Sequence, residues 1–415
     1  MKVEAGLDFS LILTEGGDLY GCGKNTLGQL GDKVTVEYNP IGGYGVFRPE
    51  KITSGVTDMA ASDHTSSQHR TSNPSGGHSM ILKGDKLYTL GDNSCGQLGV
   101  GDRAEHPGLQ YIMDEVVAFD ASGSSSAAVT EDGELYFWGL LMGMGDYTDS
   151  QKPKKVLSGV KDVALGADFI VALKEDGTVW TMGDAYRGGL GNGMESGFAH
   201  EFSQVFSGAV AIAAGTNHAL ALKADGTLYT WGSNSAGQLG LDAATIKHHA
   251  TPVYVMSGVK AIDCGEDSSY AIKTDDSLWC LGWNFYGEFG IGKQTSRNPA
   301  VWSAGNVAQV SGGYLYTMIL KKDGNMYASG NNYSGQFGNG ACIYMNLSWL
   351  PAGLTASPLP GANPFTDVAK DSYFYEPVLW ARDNYITTGT TATTFAPRTT
   401  CTRAQIATFL YRAFA

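Results

Sequence analysis

The sequence of 415 residues lacks the features that define several large classes of protein. It has no run of about eighteen apolar residues, so it offers no candidate transmembrane helix. Its first residues, MKVEAGLDFSLILTEGG, have neither the basic region nor the apolar stretch of a secretory signal peptide. We therefore expect the protein either to be cytoplasmic or to be exported by a signal that lies outside this chain.

Charge and cysteine are also scarce. Charged residues make up 17% of the chain, and the formal net charge is −13 at pH 7. A nucleic-acid partner is not expected, because such proteins need a basic surface to meet the phosphates. The six cysteines form no CxxC motif, which predicts free and mostly buried thiols rather than a disulfide framework.

Catalytic signatures are missing as well: the chain has no GxSxG, HExxH or GxGxxG motif. Residues 287–293 fit the GxxxxGK pattern of a phosphate-binding loop. However, Gln294 replaces the Ser or Thr that would bind magnesium, and no helical pattern follows. We predict no catalytic residue and no cofactor, and the protein is expected not to be an enzyme.

The eight histidines are scattered. His64, His69 and His78 lie in or beside one inserted loop, and His248 and His249 lie in another loop. A zinc site among them is conceivable, but surface histidines without a metal are the favoured interpretation.

Glycine, in contrast, is abundant at 56 residues, which is typical of many short strands joined by tight turns. The stretch 215–240, GTNHALALKADGTLYTWGSNSAGQLG, shows the arrangement. An apolar run is followed by the turn dipeptide Asp225-Gly226, a returning strand that ends at Gly232, and a polar exit. Such a hairpin is not stable alone in water.

Copies of this hairpin recur through most of the chain. The glycine that ends the returning strand is Gly23, Gly91, Gly139, Gly183, Gly232, Gly282 and Gly330 in the seven copies. Five copies keep an exit such as NTLGQLG or NSAGQLG, and the third and fourth are worn. A spacing of about 50 residues identifies a repeat architecture.

Each repeat also contains two strand-like pieces before its hairpin, such as PKKVLSGV from Pro153 and VKDVALG from Val160. Four short strands per repeat predict the blade of a propeller. A ring of seven blades leaves no open sheet edges. The predicted fold class is therefore mainly β, with a seven-bladed β-propeller over residues 1–354.

The ends of the repeat region predict how the ring closes. The chain opens at KVEAG, which matches the second piece of a repeat, so the first blade lacks its first strand. LSWLPAGL at 347–354 matches the missing piece. We expect this last strand to complete the first blade, which would make the repeat region whole.

Two insertions and a set of aromatic residues interrupt or mark the repeat. Residues 32–47 lengthen the first exit, and residues 61–77 form a polar loop for which disorder or a plain surface role is favoured over binding.

Aromatic residues recur at or next to one strand position, where core packing is favoured over a stacking surface for sugar or peptide: Tyr20, Tyr88, Tyr136, Trp180, Trp231, Trp279 and Tyr327.

The pattern changes after the repeats. Residues 355–363, TASPLPGAN, read as a linker. Beyond it, Phe374 and Val378 begin a helical spacing, and Thr402 to Gln405 form a capping box before a second helix. A small α-helical module is predicted over residues 364–415.

The copies of ALk-DG-LYtWG-N--GQLG resemble the regulator-of-chromosome-condensation repeat, over about residues 1–354. The resemblance implies a seven-bladed propeller. The family includes a nucleotide exchange factor on chromatin and also many binding platforms. No residue here matches the loops that carry exchange activity, and the acidic propeller disfavours chromatin.

The tail resembles one S-layer homology module, through Phe365-Thr366-Asp367-Val368, Ile386-Thr387-Thr388-Gly389, Phe395-Ala396-Pro397 and Thr402-Arg403-Ala404-Gln405. The resemblance implies attachment of an exported bacterial protein to pyruvylated cell-wall polysaccharide. It places Arg403 near the polymer, with Asp367 as a weaker position that caps the chain. Arg403 could equally be a solvated residue of a helix's first turn. Anchors of this family commonly carry three modules, and this chain has one.

These observations favour a non-enzymatic binding protein in an extracellular, wall-associated location, whose propeller meets an unknown protein or glycan. Two alternatives stay open: an enzyme acting on polysaccharide at the propeller rim, and an intracellular exchange-factor-like regulator.

Overall fold

The computed structural model describes residues 1–40, 43–63, 77–140 and 150–355, and the single positions 367, 378 and 395. These residues form seven antiparallel sheets, which are the blades of a seven-bladed β-propeller. The predicted fold class is confirmed for the propeller. The predicted helical module lies almost entirely outside the described residues. No helix in the described part of the chain is long and apolar enough to cross a membrane.

The strands are numbered in chain order. Blades one to four contain β1 Lys2–Ala5, β2 Phe9–Leu13, β3 Leu19–Gly23, β4 Glu37–Asn39 and β5 Gly43–Thr53; β6 Asp58–Ala61, β7 His78–Lys83, β8 Lys86–Gly91 and β9 His106–Met113; β10 Val116–Ser122, β11 Ser125–Thr130, β12 Glu134–Gly139 and β13 Ser150–Ser158; β14 Val160–Leu165, β15 Phe169–Lys174, β16 Val179–Asp184 and β17 Phe198–Phe206.

Blades five to seven contain β18 Ala209–Ala214, β19 His218–Lys223, β20 Leu228–Ser233 and β21 His248–Met256; β22 Val259–Cys264, β23 Ser268–Lys273, β24 Leu278–Asn284 and β25 Thr295–Ala304; β26 Val307–Gly312, β27 Tyr316–Lys321, β28 Met326–Asn332 and β29 Ile343–Pro351. Two short 3₁₀ turns lie at Tyr186–Gly188 and Gly353–Thr355.

The predicted hairpin forms the middle of every blade. In blade five, β19 pairs with β20 from His218 opposite Gly232 to Leu222 opposite Leu228. The turn is held by the Gly226 amide, which donates to the Lys223 carbonyl, and by the Asp225 carboxylate, which accepts from the Thr227 amide at 3.0 Å. The apolar run is fully buried, as expected for a strand packed on both faces.

The glycine that ends each returning strand has a backbone that other residues rarely adopt. Gly232 has φ +101°, and a Cβ added there would lie 2.4 Å from the Asn217 carbonyl oxygen. All seven aligned glycines have a positive φ. At each of them an added Cβ would lie 2.2–2.7 Å from the nearest backbone oxygen, which belongs to the residue just before the second strand of the blade. Sequence alignment located these positions, and backbone geometry explains them.

The order of strands within a blade differs from the prediction. The first six residues of PKKVLSGV, 153–158, lie in β13, which pairs with β12 of the preceding hairpin, so this piece ends a blade rather than opening one. The innermost strand opens each blade instead. Four strands per repeat was correct, but the repeat begins one strand later than the sequence pattern suggested.

The predicted ring closure is therefore wrong. Residues 347–354 do not complete blade one, because β29 pairs with β28 and completes blade seven. Blade one is complete through β5, which pairs with β3. The ring closes instead through contacts between the faces of blade one and blade seven. The Ser311 hydroxyl of blade seven accepts a hydrogen bond from the Ala5 amide of blade one at 2.9 Å, and the Tyr316 hydroxyl donates one to the Phe9 carbonyl at 2.6 Å.

The core lies between neighbouring blades rather than within each one. One cluster joins Phe169 and Val171 of blade four to Ala219 and Trp231 of blade five. A second joins blade one to blade seven across the closure. Since each blade buries its faces only against its neighbours, a single blade has no core of its own.

The recurring aromatic residues are core or near-core residues, as favoured. Trp231 is fully buried. Trp180 and Trp279 are half-buried, with the Lys174 and Lys273 ammonium groups 4.6 and 4.3 Å from the ring centroids. The five described cysteines are buried and form no disulfide, as predicted: Cys22, Cys95, Cys264, Cys280 and Cys342.

The first insertion contains strand β4, which forms a hairpin with β5. The second, at 61–77, lies mostly outside the described residues.

Candidate functional site

The innermost strands of the seven blades line a channel along the propeller axis. Small residues such as Ala61, Ala164, Ala213 and Gly312 fill these strands near one end. They leave a cavity of about 210 Å³. A second cavity of about 430 Å³ follows on the other side, and Glu4 lines both. The two cavities therefore follow one another along the propeller axis, with the smaller one near the C-terminal ends of the inner strands.

Four carboxylates from four blades line the smaller cavity: Glu4, Asp63, Asp120 and Asp263. Glu4, Asp120 and Asp263 occupy the same register, since each lies opposite the third residue of the next strand. None of these four acids was predicted as a site residue. Alignment of the inner strands would have found the shared position, because an acid precedes the loop glycine by two residues in EAG and DCG.

Burial disfavours the charged form of these acids. It raises the pKa of Asp120 and of Asp263 to about 7, against the hydrogen bonds that their carboxylates accept from backbone amides. The Asp120 carboxylate accepts from the Leu165 amide at 2.7 Å, and the Asp263 carboxylate accepts from the Gly312 amide at 2.7 Å. Burial, with repulsion from Asp263 and Asp120, also raises the pKa of Glu4 well above its usual value.

These shifts predict a pH-dependent stability. Between pH 4 and pH 7 the folded protein holds protons on Asp120 and Asp263 that the unfolded chain has lost, so their contribution to stability falls as pH rises. Replacing both by asparagine removes this loss. Each carboxyl accounts for about 2.6 kcal/mol of this loss between pH 5 and pH 8, so we expect the double variant to gain about 5 kcal/mol relative to the parent over that range.

Urea unfolding at several pH values measures this difference. The matched control is Asp176→Asn, whose carboxylate has its pKa lowered by hydrogen bonds from Thr178, so its contribution changes only in more acidic solution. A constant difference between the double variant and the parent from pH 5 to pH 8 would show that these acids are ordinary carboxylates.

The channel opens toward one face of the propeller, here named the exit-loop face. It carries the loops that join the inner strand to the second strand, and the exit loops that join the third strand to the outermost one. Both sets lie at the same end because the second strand starts where the third ends, as His218 opposite Gly232 shows.

The exit loops share a fixed scaffold. The Asn234 side chain accepts from the Leu239 amide at 3.0 Å and donates to the Ile246 carbonyl at 2.8 Å. Asparagine makes the first of these bonds in the other regular copies, at 2.8–3.1 Å: Asn25, Asn93, Asn284 and Asn332. The repeated motif therefore builds the loops, and only the residues between its fixed positions can distinguish one blade from another.

The inner loops of the exit-loop face are acidic. The described residues of the inner loops, at 6–8, 62–63, 77, 123–124, 166–168, 215–217, 265–267 and 313–315, include no lysine or arginine. They include five carboxylates: Asp8, Asp63, Asp168, Glu266 and Asp267. Burial raises the pKa of Asp63 well above its usual value and also raises the pKa of Asp8. The lack of basic residues in these loops, together with the Glu266 and Asp267 carboxylates, favours a cationic ligand over an anionic one.

Residues 287–293 belong to the exit loop of blade six, and strand β25 follows them. The absence of a helix agrees with the repeat interpretation rather than with a phosphate-binding loop.

The histidines give no metal site within the described part of the chain, where no three His, Cys, Asp or Glu side chains are arranged to hold an ion. His78 is buried, with Nε2 2.7 Å from the Ser126 hydroxyl. His248 Nε2 lies 3.4 Å from a Glu195 carboxylate oxygen, and His249 Nδ1 lies 2.6 Å from the Thr251 carbonyl oxygen. His64 and His69 lie outside the described residues.

The predicted polymer-binding residues are only partly described. Arg403 lies outside the described residues. The Asp367 carboxylate accepts a hydrogen bond from the Phe395 amide at 2.9 Å, which joins two of the matched motifs. Their roles in polymer binding stay predictions.

Comparison with known proteins identifies both parts of the chain. The model of the RCC1-like domain matches residues 72–342, and that of the regulator of chromosome condensation repeat matches residues 2–29. The model of the S-layer homology domain matches residues 364–407. Together they describe a surface-anchored interaction module whose C-terminal domain associates with the cell wall. Both domain types are non-catalytic folds.

Individual relatives share parts of the propeller. The human E3 ubiquitin-protein ligase HERC2 is 33% identical over 213 residues, which cover 48% of this chain and 4% of HERC2. The human regulator of chromosome condensation is 32% identical over 130 residues, 28% of this chain and 31% of that protein. This chain thus matches only a small part of the curated relatives, whose activities are not transferred to it.

A solved structure supports the fold. Prp20p from Saccharomyces cerevisiae aligns with a TM-score of 0.69 at 21% identity, over 84% of this chain and 88% of that one. At this identity the likeness shows the shared propeller alone. Because the RCC1-like domain model matches well over half of the sequence, the chain belongs to the family of RCC1-like domain proteins.

Proposed function

We propose that this protein is a non-enzymatic binding protein of the bacterial surface. Its propeller presents the exit-loop face to a protein or glycan, and its C-terminal module holds it on pyruvylated cell-wall polysaccharide. The observation that carries the proposal is the S-layer homology match at residues 364–407. The repeated motif of the propeller agrees with it, because its residues hold the exit loops in shape rather than forming a catalytic site. The inner loops of this face, which contain acids and no described lysine or arginine, support a ligand that carries positive charge.

The anchoring half predicts the outcome of a sedimentation assay. Deleting residues 364–415 should release the protein from purified bacterial cell walls, and Arg403→Ala in the full chain should weaken sedimentation about tenfold or more. Arg403→Lys keeps the charge but loses the bidentate geometry, so it should bind with intermediate strength. Circular dichroism must first show that each protein keeps its β-propeller.

The polymer is tested separately. Mild acid removes ketal-linked pyruvate from the walls, and binding should fall with the pyruvate content. Unchanged sedimentation of the deletion protein would refute the anchoring function. Unchanged binding to depyruvylated walls would refute only the proposed polymer chemistry.

The enzymatic alternative has one observation in its favour, because carboxylates do line the channel. The cavity that contains them is about 210 Å³. The adjoining cavity of about 430 Å³, which Glu4 also lines, lies within the roughly 300–1,000 Å³ of typical ligand pockets. The acids of the smaller cavity, however, come from four blades facing a common axis, rather than from two sides of an open cleft. This arrangement favours a binding surface over hydrolysis of a polysaccharide.

A further inference from the structure

The exit loops differ from one another at the residue that follows the scaffold asparagine. Copies one, two and five carry small polar residues there: Thr26, Ser94 and Ser235. Copies six and seven carry aromatic residues there, Phe285 and Tyr333, and copy four carries Tyr186 at the equivalent position, where Ala185 replaces the asparagine. Each of the three rings is 44–47% exposed. Rings at this position pack into no core, so the exposed rings of blades six and seven point to a ligand rather than to folding.

Blades six and seven carry an aromatic ledge, which we define as the exposed rings Phe285, Tyr333 and Tyr344 with the half-buried rings Trp283 and Tyr286. Ring centroids are 5.7 Å apart between Trp283 and Phe285, 5.5 Å between Phe285 and Tyr286, and 5.8 Å between Tyr286 and Tyr344. The last pair crosses from blade six to blade seven.

The ledge continues toward blade one. The Ser334 carbonyl would lie 2.7 Å from a Cβ at Gly45, so the exit loop of Tyr333 contacts the inserted hairpin of blade one. That hairpin carries a second ring pair, Tyr38 and Tyr44, whose centroids are 5.1 Å apart and whose side chains are 65% and 63% exposed. Aromatic surface therefore spans three consecutive blades.

Two acidic side chains, Glu266 and Glu288, lie near this surface. Burial raises the pKa of Glu288 to about 8, so at pH 7 the negative charge here comes mainly from Glu266. The Tyr344 hydroxyl, burial, and the Glu288 and Glu266 carboxyls all raise the pKa of the Tyr286 phenol. Glu288 is 3% exposed and occupies the position of the motif glutamine. One of its carboxyl oxygens accepts from the Tyr286 amide at 3.0 Å, and the other has no hydrogen-bond partner among the described residues.

Blade four shows which ligand suits a ring at this position. The Arg187 guanidinium lies over the Tyr186 ring, 5.2 Å from its centroid, and donates to the Ser235 hydroxyl at 2.9 Å. In blade four, therefore, an arginine of the same chain already occupies the face of the exit-loop ring. Within the described residues, no lysine or arginine lies over the rings of the aromatic ledge.

We propose that the aromatic ledge binds an arginine- or lysine-bearing segment of a partner protein. Cations bind to ring faces, and the nearby Glu266 carboxylate adds electrostatic attraction. Neighbouring rings are turned by 32°, 79° and 66° relative to one another, so they offer no flat platform for consecutive sugar rings. The inference specifies the partner class within the proposed binding function, on which it rests.

A binding assay with the full chain tests the ledge. The probe is a fluorescent ten-residue peptide of alternating arginine and glycine, compared with a peptide in which glutamine replaces arginine. We expect the arginine peptide to bind and the glutamine peptide not to bind, with affinity falling as salt is added. The variant F285S/Y333S, which copies the small residues of blades two and five, should lose about tenfold in affinity.

The matched control is Tyr186→Ser, at the equivalent position of blade four, which should change the affinity less than twofold because Arg187 already covers that ring. A second variant, F285R/Y333R, places cations on the ledge and should abolish binding by repulsion. All these substitutions are at exposed positions, and thermal unfolding checks that the fold is kept.

Equal binding of both peptides, or an unchanged affinity in F285S/Y333S, would overturn the proposal. A neutral β-1,4-linked glucose hexamer serves as the competing ligand, and binding of this sugar that depends on Phe285 and Tyr333 would assign the ledge to glycans instead. The ledge variants should still sediment with cell walls. Loss of peptide binding with retained wall binding therefore separates the ledge from the anchoring function.

Discussion

Replacing Gly232 with alanine is expected to lower the free energy of unfolding by about 3 kcal/mol. Gly232 adopts φ +101°, and an added Cβ would meet the Asn217 carbonyl oxygen at 2.4 Å and the His218 Cα at 2.7 Å. Both neighbours are backbone atoms of the paired strand, so neither can move aside without breaking the hairpin. The methyl group therefore adds a backbone clash to the strain of the left-handed conformation.

Gly258→Ala is the matched control for this prediction. Gly258 also has a positive φ, +74°, but an added Cβ would have nothing within 4 Å. Only conformational strain remains, which costs about 1 kcal/mol. Urea unfolding of both variants should separate strain from the clash, and equal losses in the two proteins would show that the approach to Asn217 is unimportant.

Sequence reasoning succeeded for the hairpins because their signals are local. Asp225-Gly226 lies between an apolar run and a returning strand, so turn chemistry and strand pattern agree within a dozen residues. Repetition of that agreement seven times then predicts a ring, since every copy must bury its faces against another copy.

The same reasoning placed the outermost strand in the wrong blade. A periodic sequence has no marked beginning, and a strand such as β13 can be read as the start of one repeat or the end of another. Pairing with β12, which is a tertiary contact, decides the matter. The ring closure depended on this choice, so it was wrong for the same reason.

The candidate sites also depend on contacts between blades. Asp120 and Asp263 are separated by more than a hundred residues, and only convergence of the inner strands on one axis brings them to one cavity. Likewise, Tyr286 and Tyr344 meet because blade six packs against blade seven. Comparison between copies would have shown the unusual residue at each position, but not which of them share a surface.

The interface between blades gives the second large effect, at Trp231. Its ring is fully buried in the cluster that joins blades four and five, and its Nε1 donates to the Gly189 carbonyl at 3.1 Å. Trp231→Ala should cost about 4 kcal/mol, through lost packing, a cavity and an unpaired carbonyl. Trp231→Phe keeps most of the ring, so it should cost about half as much.

Trp302→Ala provides the control, because this residue lies on the outer strand β25 and is 56% exposed. This substitution should lower the free energy of unfolding by no more than about 1 kcal/mol. Gly189 belongs to the exit loop of blade four, so Trp231 of the next blade fixes a loop of the binding face as well as the core. Trp231→Ala should therefore also speed hydrogen exchange in residues 185–191. A stability loss no larger than that of Trp302→Ala would contradict a core shared between blades.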